Sequence, residues 1–320
     1  MQKFQSNGKL LITGEYLVLD GAMALALPTK YGQHLSVEPI NQRKLIWESL
    51  DKDNNKWFEY EYTFEEICFP IVYENEIRKY NNKIAKQLLK ILFHLGRLNR
   101  EHFINYDSAY NAKDIEVTDG LKITTKLTFP QDWGLGSSST LINNMANWAQ
   151  VDPYKLLELT FGGSGYDIAC AQHNTAITYQ IENNNRHIKE ANFNPSFKDS
   201  LYFVYLNKKQ NSRDGIAQYK ANTSNKTQVI KEISEMTSQL ISCSNLTDCN
   251  LLINRHEQII SSIIHQVPVK EALFSDFKGS VKSLGAWGGD FVLVTSEENP
   301  TAYFRSKGYD TIVPYPEMIK

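Results

Sequence analysis

The chain is poor in the features that usually betray a function at once. It has four cysteines in 320 residues, Cys68, Cys170, Cys243 and Cys249, and no two form a Cys-x-x-Cys pair. That spacing indicates neither a zinc site nor a disulfide framework, and reduced thiols in a cytoplasmic protein are expected. No apolar run is long enough to cross a bilayer. The opening residues Met1–Asn7 lack the apolar core of a secretion signal, so none is expected. Neither sign of charge dominates: 34 basic against 36 acidic residues leave a net charge of −2. No strongly basic face is forced, and nucleic acid is not an expected partner. Internal repeats, heptads and long low-complexity tracts are missing too, although Asn183-Asn184-Asn185 reads as a surface loop. Standard catalytic signatures are equally scarce. The glycines fit neither a Walker A loop, which needs a following Lys-Ser/Thr, nor Gly-x-Ser-x-Gly. His256-Glu257 lacks the second histidine of a zinc protease.

What remains is a mixed α and β pattern. Residues 9–19 are apolar and β-prone, Asp20-Gly21 signals a hairpin turn, and Ala22–Leu27 resumes the strand up to Pro28. Residues 33–38, 44–48 and 57–64 continue the strand character. Residues 73–95 place Ile77, Ile84, Leu88, Leu89, Leu92 and Leu95 at helical spacing. Residues 121–129 alternate apolar and polar, which predicts a strand with one buried face. Asp152-Pro153 predicts a capped helix ending near Phe161, with Gly162 beyond it. Further on, strands are predicted at 176–181, 201–206 and 291–295, and helices from about 213, over 226–243 and over 248–265. A chain of this length more often holds two domains than one. Asn194-Pro195 marks a plausible boundary.

Chemistry concentrates in two Gly-Ser segments. Gly134-Leu135-Gly136-Ser137-Ser138-Ser139 follows a strand pattern and opens a helix pattern. Unpaired N–H groups and the positive end of a helix dipole suit a phosphate, and serine hydroxyls suit a phosphate oxygen or magnesium. An ordinary serine-rich helix start is the alternative. Gly162-Gly163-Ser164-Gly165-Tyr166-Asp167 sets a carboxylate on a glycine turn. Asp167 there either accepts a proton or holds a metal, or merely makes an Asx turn. Lys9 either neutralises phosphate charge or is a solvated surface lysine. Glu15 lies in the Gly14 break of the first hairpin, where a plain turn residue is the alternative. Gly285–Asp290 is either a close-approach loop or a glycine turn into a strand.

In order, these segments resemble the motifs of the GHMP kinases (galactokinase, homoserine kinase, mevalonate kinase, phosphomevalonate kinase). Gly8–Leu19 is similar to their first motif, Gly134–Ser139 to the second and Gly285–Asp290 to the third. Gly163–Asp167 resembles the segment carrying their acidic catalytic residue, and Leu206–Arg213 a substrate-side stretch. Gly14-Glu15-Tyr16 and Gly288-Gly289-Asp290 look closest to phosphomevalonate kinases, and Gly165–Ala169 to a bacterial subgroup named GYDIA. The resemblance implies an α+β fold. Its N-terminal domain, over 1–190, is like ribosomal protein S5 domain 2, and its C-terminal domain, over 191–320, is ferredoxin-like. It implies an ATP- and Mg2+-dependent small-molecule kinase acting on mevalonate or phosphomevalonate, without nucleic acid or membrane partners, and leaves a homodimer open. By the same resemblance Asp167 is the base or charge stabiliser and Lys9 its cationic partner near the transferred phosphoryl group. Gly134, Leu135, Gly136, Ser137, Ser138 and Ser139 hold the ATP phosphates. Glu15, Tyr16, Ser164, Lys208, Ser212 and Gly288 face the acceptor, and Ser138 contacts the metal. The magnesium-binding glutamate of mevalonate kinases aligns with Leu156, and Glu158 is the nearest acid. Trp287 stands where the third motif usually has glycine, and Ser139 where alanine is usual. A metabolite sensor on the same fold, a kinase for another alcohol or sugar, and a diphosphomevalonate decarboxylase are the competing readings.

Overall fold

A computed structural model describes residues 1–63, 81–99, 120–210, 212–222 and 224–320. In chain order the elements are β1 (Gln2–Leu11), β2 (Ala24–Ile40), β3 (Lys44–Leu50), β4 (Lys56–Thr63), α1 (Lys83–Leu98), β5 (Gly120–Leu127), α2 (Ser137–Ala149), α3 (Pro153–Thr160) and α4 (Tyr166–Gln172). There follow β6 (Ile177–Glu182), β7 (Asn185–Glu190), β8 (Leu201–Tyr205), α5 (Ser212–Ala221), α6 (Thr227–Ile241), α7 (Leu246–Ile264) and α8 (Val269–Leu273). The chain closes with β9 (Val281–Ser283), β10 (Phe291–Thr295), α9 (Thr301–Ser306), β11 (Ile312–Pro314) and α10 (Tyr315–Met318). Two compact units form, and neither is one continuous stretch. The first takes Met1–Ser6, Gly32–Pro130 and Gly136–Gln172; the second takes Asn7–Tyr31, Gln131–Leu135 and His173–Lys320.

In the first unit the strands run β4-β3-β5-β2. β3 and β5 are parallel, with Trp47 beside Ile123, and the other neighbours are antiparallel. A parallel pair needs a crossover, and α1 lies on the chain between these two strands. Leu121, Ile123, Thr125 and Leu127 of β5 are buried while the residues between them are half-exposed, as the alternation predicts. Leu88, Leu92 and Leu95 of α1 join Trp47, Ile123, Ile142, Met145 and Leu156 in one core. The described part of α1 begins at Lys83, where the Asn82 side chain accepts the N–H groups of Ile84 and Ala85. Ile84, expected on the apolar face, is 42% exposed, because it stands in that first turn at the end of the packed stripe. The expected earlier turns, over 73–80, fall outside the described residues, as does Cys68. α3 starts as the sequence predicts: Asp152 caps Tyr154 and Lys155, and Pro153 takes the first helical position.

Buried amides tie α2 into this unit. Ser6 Oγ donates to Asn144 Oδ1 at 2.7 Å, and Asn144 Nδ2 donates to the Gln33 carbonyl at 3.0 Å. Asn143 donates to Ser6 Oγ and accepts from Gln172 at the end of α4. A fully satisfied polar network specifies one arrangement of its elements more sharply than apolar packing does.

In the second unit a four-stranded antiparallel sheet runs β11-β8-β10-β9, with Val204 opposite Val292 and Ile312. One cluster, including Val204, Val292, Phe274 and Phe304, fills between this sheet and α8 and α9; another joins Leu17, Tyr219, Ile233, Ile260 and Trp287. The start of β2 pairs with β6. β6 and β7 are joined by Asn183-Asn184 with φ of 50° and 62°, the two positive values that a two-residue hairpin turn prefers. Two expectations change here. β2, which also pairs with β1, runs on through Pro28 instead of ending there: Pro28 lies between the stretch paired to β6 and the stretch paired to β5, so neither of those two ladders needs its missing N–H. The first hairpin is also no tight turn at Asp20-Gly21: a loop with a 3-10 turn over Leu17–Asp20 separates β1 from β2.

Asn144→Leu leaves the Ser6 hydroxyl and the Gln33 carbonyl buried without this partner. Urea unfolding is expected to show a loss of about 2–3 kcal/mol.

Candidate active site

In the first unit the serine segment forms the start of α2. Gly136 takes a left-handed conformation (φ 90°) and, having no side chain, caps nothing. The first helical bond runs from Thr140 N to the Gly136 carbonyl, so the N–H groups of Ser137, Ser138 and Ser139 precede it and have no partner within the helix. Ser138 is exposed and Ser137 half-exposed. Ser139 is buried, and its hydroxyl donates to the Gly136 carbonyl at 2.8 Å. What Ser139 offers an incoming anion is therefore its backbone N–H. Donors aimed along a helix axis, with its dipole behind them, fit a phosphate.

Asp167 stands in the first turn of α4, not on a bare glycine turn. Helical bonds from Ile168 N and Ala169 N to the Gly165 carbonyl start that turn. Asp167 Oδ1 is buried and has no hydrogen-bond partner among the described residues. An Asx turn needs a carboxylate-to-backbone bond, and this oxygen makes none. α4 packs on α2, joined at its far end by Gln172 and Asn143. Ser164, just before α4, is buried. Glu158 lies on the exposed face of α3, while Leu156 is in the core. Among the described residues no three His, Cys, Asp or Glu side chains gather as a metal-ligand group. Magnesium beside a nucleotide needs only one or two protein oxygens, with phosphates and water completing its shell, and the Ser138 hydroxyl and Asp167 carboxylate are oxygens of that kind.

In the second unit Lys9 of β1 holds the start of the same loop. Lys9 N donates to the Leu135 carbonyl at 3.0 Å, and Lys9 Nζ to the Gly134 carbonyl at 3.1 Å. Trp133 packs edge-on against Tyr31 and Phe291, Tyr205 Oη donates to the Asp132 carbonyl, and Lys209 Nζ to that of Gln131. Gly134 has φ 65°, and a Cβ there would overlap the Asp290 carboxylate. The third motif thus meets both the second motif and the expected substrate stretch. Asp290 N donates to the Lys208 carbonyl and Gln210 N to Asp290 Oδ1. The Lys208 side chain and Gly288 are exposed. Ser212 begins α5, but its side chain lies outside the described residues.

Glu15 corrects the simple turn reading. It is fully buried, and its carboxylate pairs with the ammonium of Lys282, which is 1% exposed. Glu257 lies 3.6 Å from the same ammonium and accepts the Ser283 hydroxyl. His256 Nε2 accepts the Gly14 N–H at 3.2 Å, so that nitrogen carries no proton and its closeness to Glu15 is no ion pair. Burial, together with the Lys282 charge, holds the His256 pKa well below its usual range. Burial raises both carboxylates against the pull of Lys282, Glu257 to about 7. Next to Glu15, Tyr16 has φ 59°, an outlier for a bulky residue, and its ring stacks on Tyr219. Its hydroxyl occupies the space a Cβ at Gly215 would need. Trp287, in place of the usual glycine, is 1% exposed and packs in the same cluster.

The sequence reading missed Lys282, Glu257 and Asp290 as site residues. Asp290 had a signal, since it closes a glycine turn. The two others had none within their own segments.

Glu257 binds a proton more tightly folded than unfolded. Its contribution to stability is fully present below pH 4.5 and is lost as pH rises through 7. Glu257→Gln removes that decline, and the gap between the two proteins, measured by denaturation at pH 5 and pH 8, is expected to shift in favour of the variant at pH 8 by on the order of 2–3 kcal/mol. Gly134→Ala forces both an unfavourable φ and a clash with Asp290. A stability loss of at least about 1 kcal/mol is expected in thermal melting.

No protein-family model matches the chain, and no curated protein matches it. Solved structures do. The Methanococcus jannaschii mevalonate kinase superposes with a TM-score of 0.67 at 17% identity, over 96% of this chain and 94% of that one. A Streptococcus pneumoniae phosphomevalonate kinase in complex with phosphomevalonate and AMPPNP gives 0.64 at 15% identity, over 96% of both chains. A Lactococcus lactis galactokinase complexed with galactose gives 0.62 at 13%, over 96% and 88%. At such identities the likeness speaks for the architecture: this α+β chain has the fold that these GHMP-type kinases share.

Proposed function

We propose that the protein is an ATP-dependent small-molecule kinase, with mevalonate or phosphomevalonate as acceptor and domains over 1–190 and 191–320. The observation that carries this reading is the uncapped start of α2, with its unpartnered N–H groups and exposed Ser138, packed beside the helix that holds the unpaired oxygen of Asp167. The shared fold supports it.

In this reading the backbone of Gly134–Ser139 orients the phosphates. Lys9 brings positive charge to the transferred group, and Asp167 accepts the proton of the acceptor hydroxyl at its free oxygen. Ser138 and a carboxylate would hold magnesium, which would supply charge neutralisation at the phosphates when bound. Glu158, exposed on α3, is the weaker carboxylate candidate. Phosphoryl transfer asks the protein chiefly for placement and charge stabilisation, and this sparse set meets both needs. Lys208 contributes exposed charge on the acceptor side, where Gly288 is exposed too; Ser164 and Ser212 are the other acceptor-side candidates. Glu15 and Tyr16 shape that side from within, because both are buried and the Glu15 carboxylate pairs with Lys282.

Purified protein with ATP and magnesium is tested against mevalonate, phosphomevalonate, homoserine and galactose. Turnover with one acceptor is expected, and Asp167→Asn is expected to lower kcat by about 10²–10⁴-fold while nucleotide affinity holds. Folded protein that binds ATP yet turns over none of the four would sink this proposal.

A further inference from the structure

Asp290 is an acidic residue that the proposed chemistry does not use, yet it stands where three segments of the second unit meet. Its backbone is left-handed (φ 53°), which lets both main-chain groups reach neighbours: N–H to the Lys208 carbonyl, carbonyl to the Leu206 N–H. Its carboxylate accepts the Gln210 N–H at 3.2 Å and packs against the α-carbon of Gly134, closely enough that no Cβ fits between them. The carbonyl of that same Gly134 receives the Lys9 ammonium. Asp290, Gly134 and Lys9 are therefore consecutive contacts, and two of the three carry opposite charge.

We propose that Asp290 is a positioning residue: its carboxylate, wedged under Gly134, sets the place of the Gly134–Leu135 backbone and of the Lys9 ammonium bound to it. The electrostatics agree. Burial raises the Asp290 pKa, and the Lys9 charge is the largest influence lowering it, ahead of the Gln210 N–H and Lys209, while Asp132 works in the opposite sense. Any effect on turnover rests on the kinase reading; the coupling of Asp290 to Lys9 does not. A carboxylate that merely closes the turn at Gln210 would leave Lys9 unaffected when replaced.

The test follows Lys9 directly. The extent of acetic anhydride labelling at Lys9, at one fixed pH, is read by mass spectrometry in wild type and Asp290→Asn, with exposed Lys208 as the internal control. Freeing Gly134 is expected to release the ammonium from its carbonyl and raise Lys9 labelling relative to Lys208 by about twofold or more. Coupling is reciprocal, so Lys9→Met is expected to raise the titration midpoint of the Asp290 carboxyl, followed by carbon-13 NMR. That second measurement decides the matter if Asp290→Asn does not fold. Where an acceptor is turned over, Asp290→Asn is expected to cost about tenfold in kcat in the wild-type background and nothing further on top of Lys9→Met. Unchanged Lys9 labelling in folded Asp290→Asn, an unmoved Asp290 midpoint in Lys9→Met, or fully additive losses would each overturn the proposal. Absence of turnover with every acceptor would overturn the kinase reading alone, since the Lys9 labelling and the Asp290 midpoint would still report the coupling.

Discussion

Two hydrogen bonds from one residue fasten the start of the phosphate-loop candidate. Lys9 lends its main-chain N–H to Leu135 and its ammonium to Gly134, beside the Trp133 packing and the Tyr205 and Lys209 bonds that hold the residues just before. Glycine at 134 makes the fastening possible, since a side chain there would overlap Asp290. The next glycine turns the chain into α2 without capping it, and the first N–H groups of the helix stay open. Asn82, Asp152 and Asn245 cap α1, α3 and α7, whereas α2 shares the lack of a side-chain cap with α6, α8, α9 and α10; what sets the start of α2 apart is the left-handed glycine before it and the exposed Ser138 in its first turn.

The second unit holds a different kind of constraint. Two carboxylates share one lysine deep in the interior, beside a neutral histidine. Buried ion pairs are costly to desolvate and are weak evidence for net stability. Their geometry nevertheless ties the loop after β1 to β9 and α7. Tyr16 is held in an unfavourable backbone conformation right next to this cluster, its ring stacked on Tyr219 and packed in one apolar cluster with Trp287. Strain of that kind persists only where the surroundings over-determine the residue. Trp287 is part of those surroundings. The indole that departs from the usual third motif has been absorbed into the core, where it braces the first motif.

Much of the fold was legible locally. The Asp152-Pro153 helix start, the alternation of β5 and the strand at 291–295 follow from rules that act over a few residues, and the structure agrees with each. The helix of Asp167 was less so: seven residues long and led in by glycines, it carries too little periodicity to separate it from a turn. Pro28 misled for a related reason. Whether a missing N–H matters depends on what lies beside the strand, and the strand's own residues do not say.

By itself the sequence determined which chemical groups are available and in what order, and where local signals start and stop helices. Glycines, serines and caps act within about one turn of chain, so their effect is readable there. Only the tertiary structure decided that Glu15 meets Lys282 across 267 positions, and that Asp290 lies beneath Gly134. Contacts between such distant segments are set by how whole strands and helices bury their apolar faces against one another, a quantity that no short stretch of residues contains.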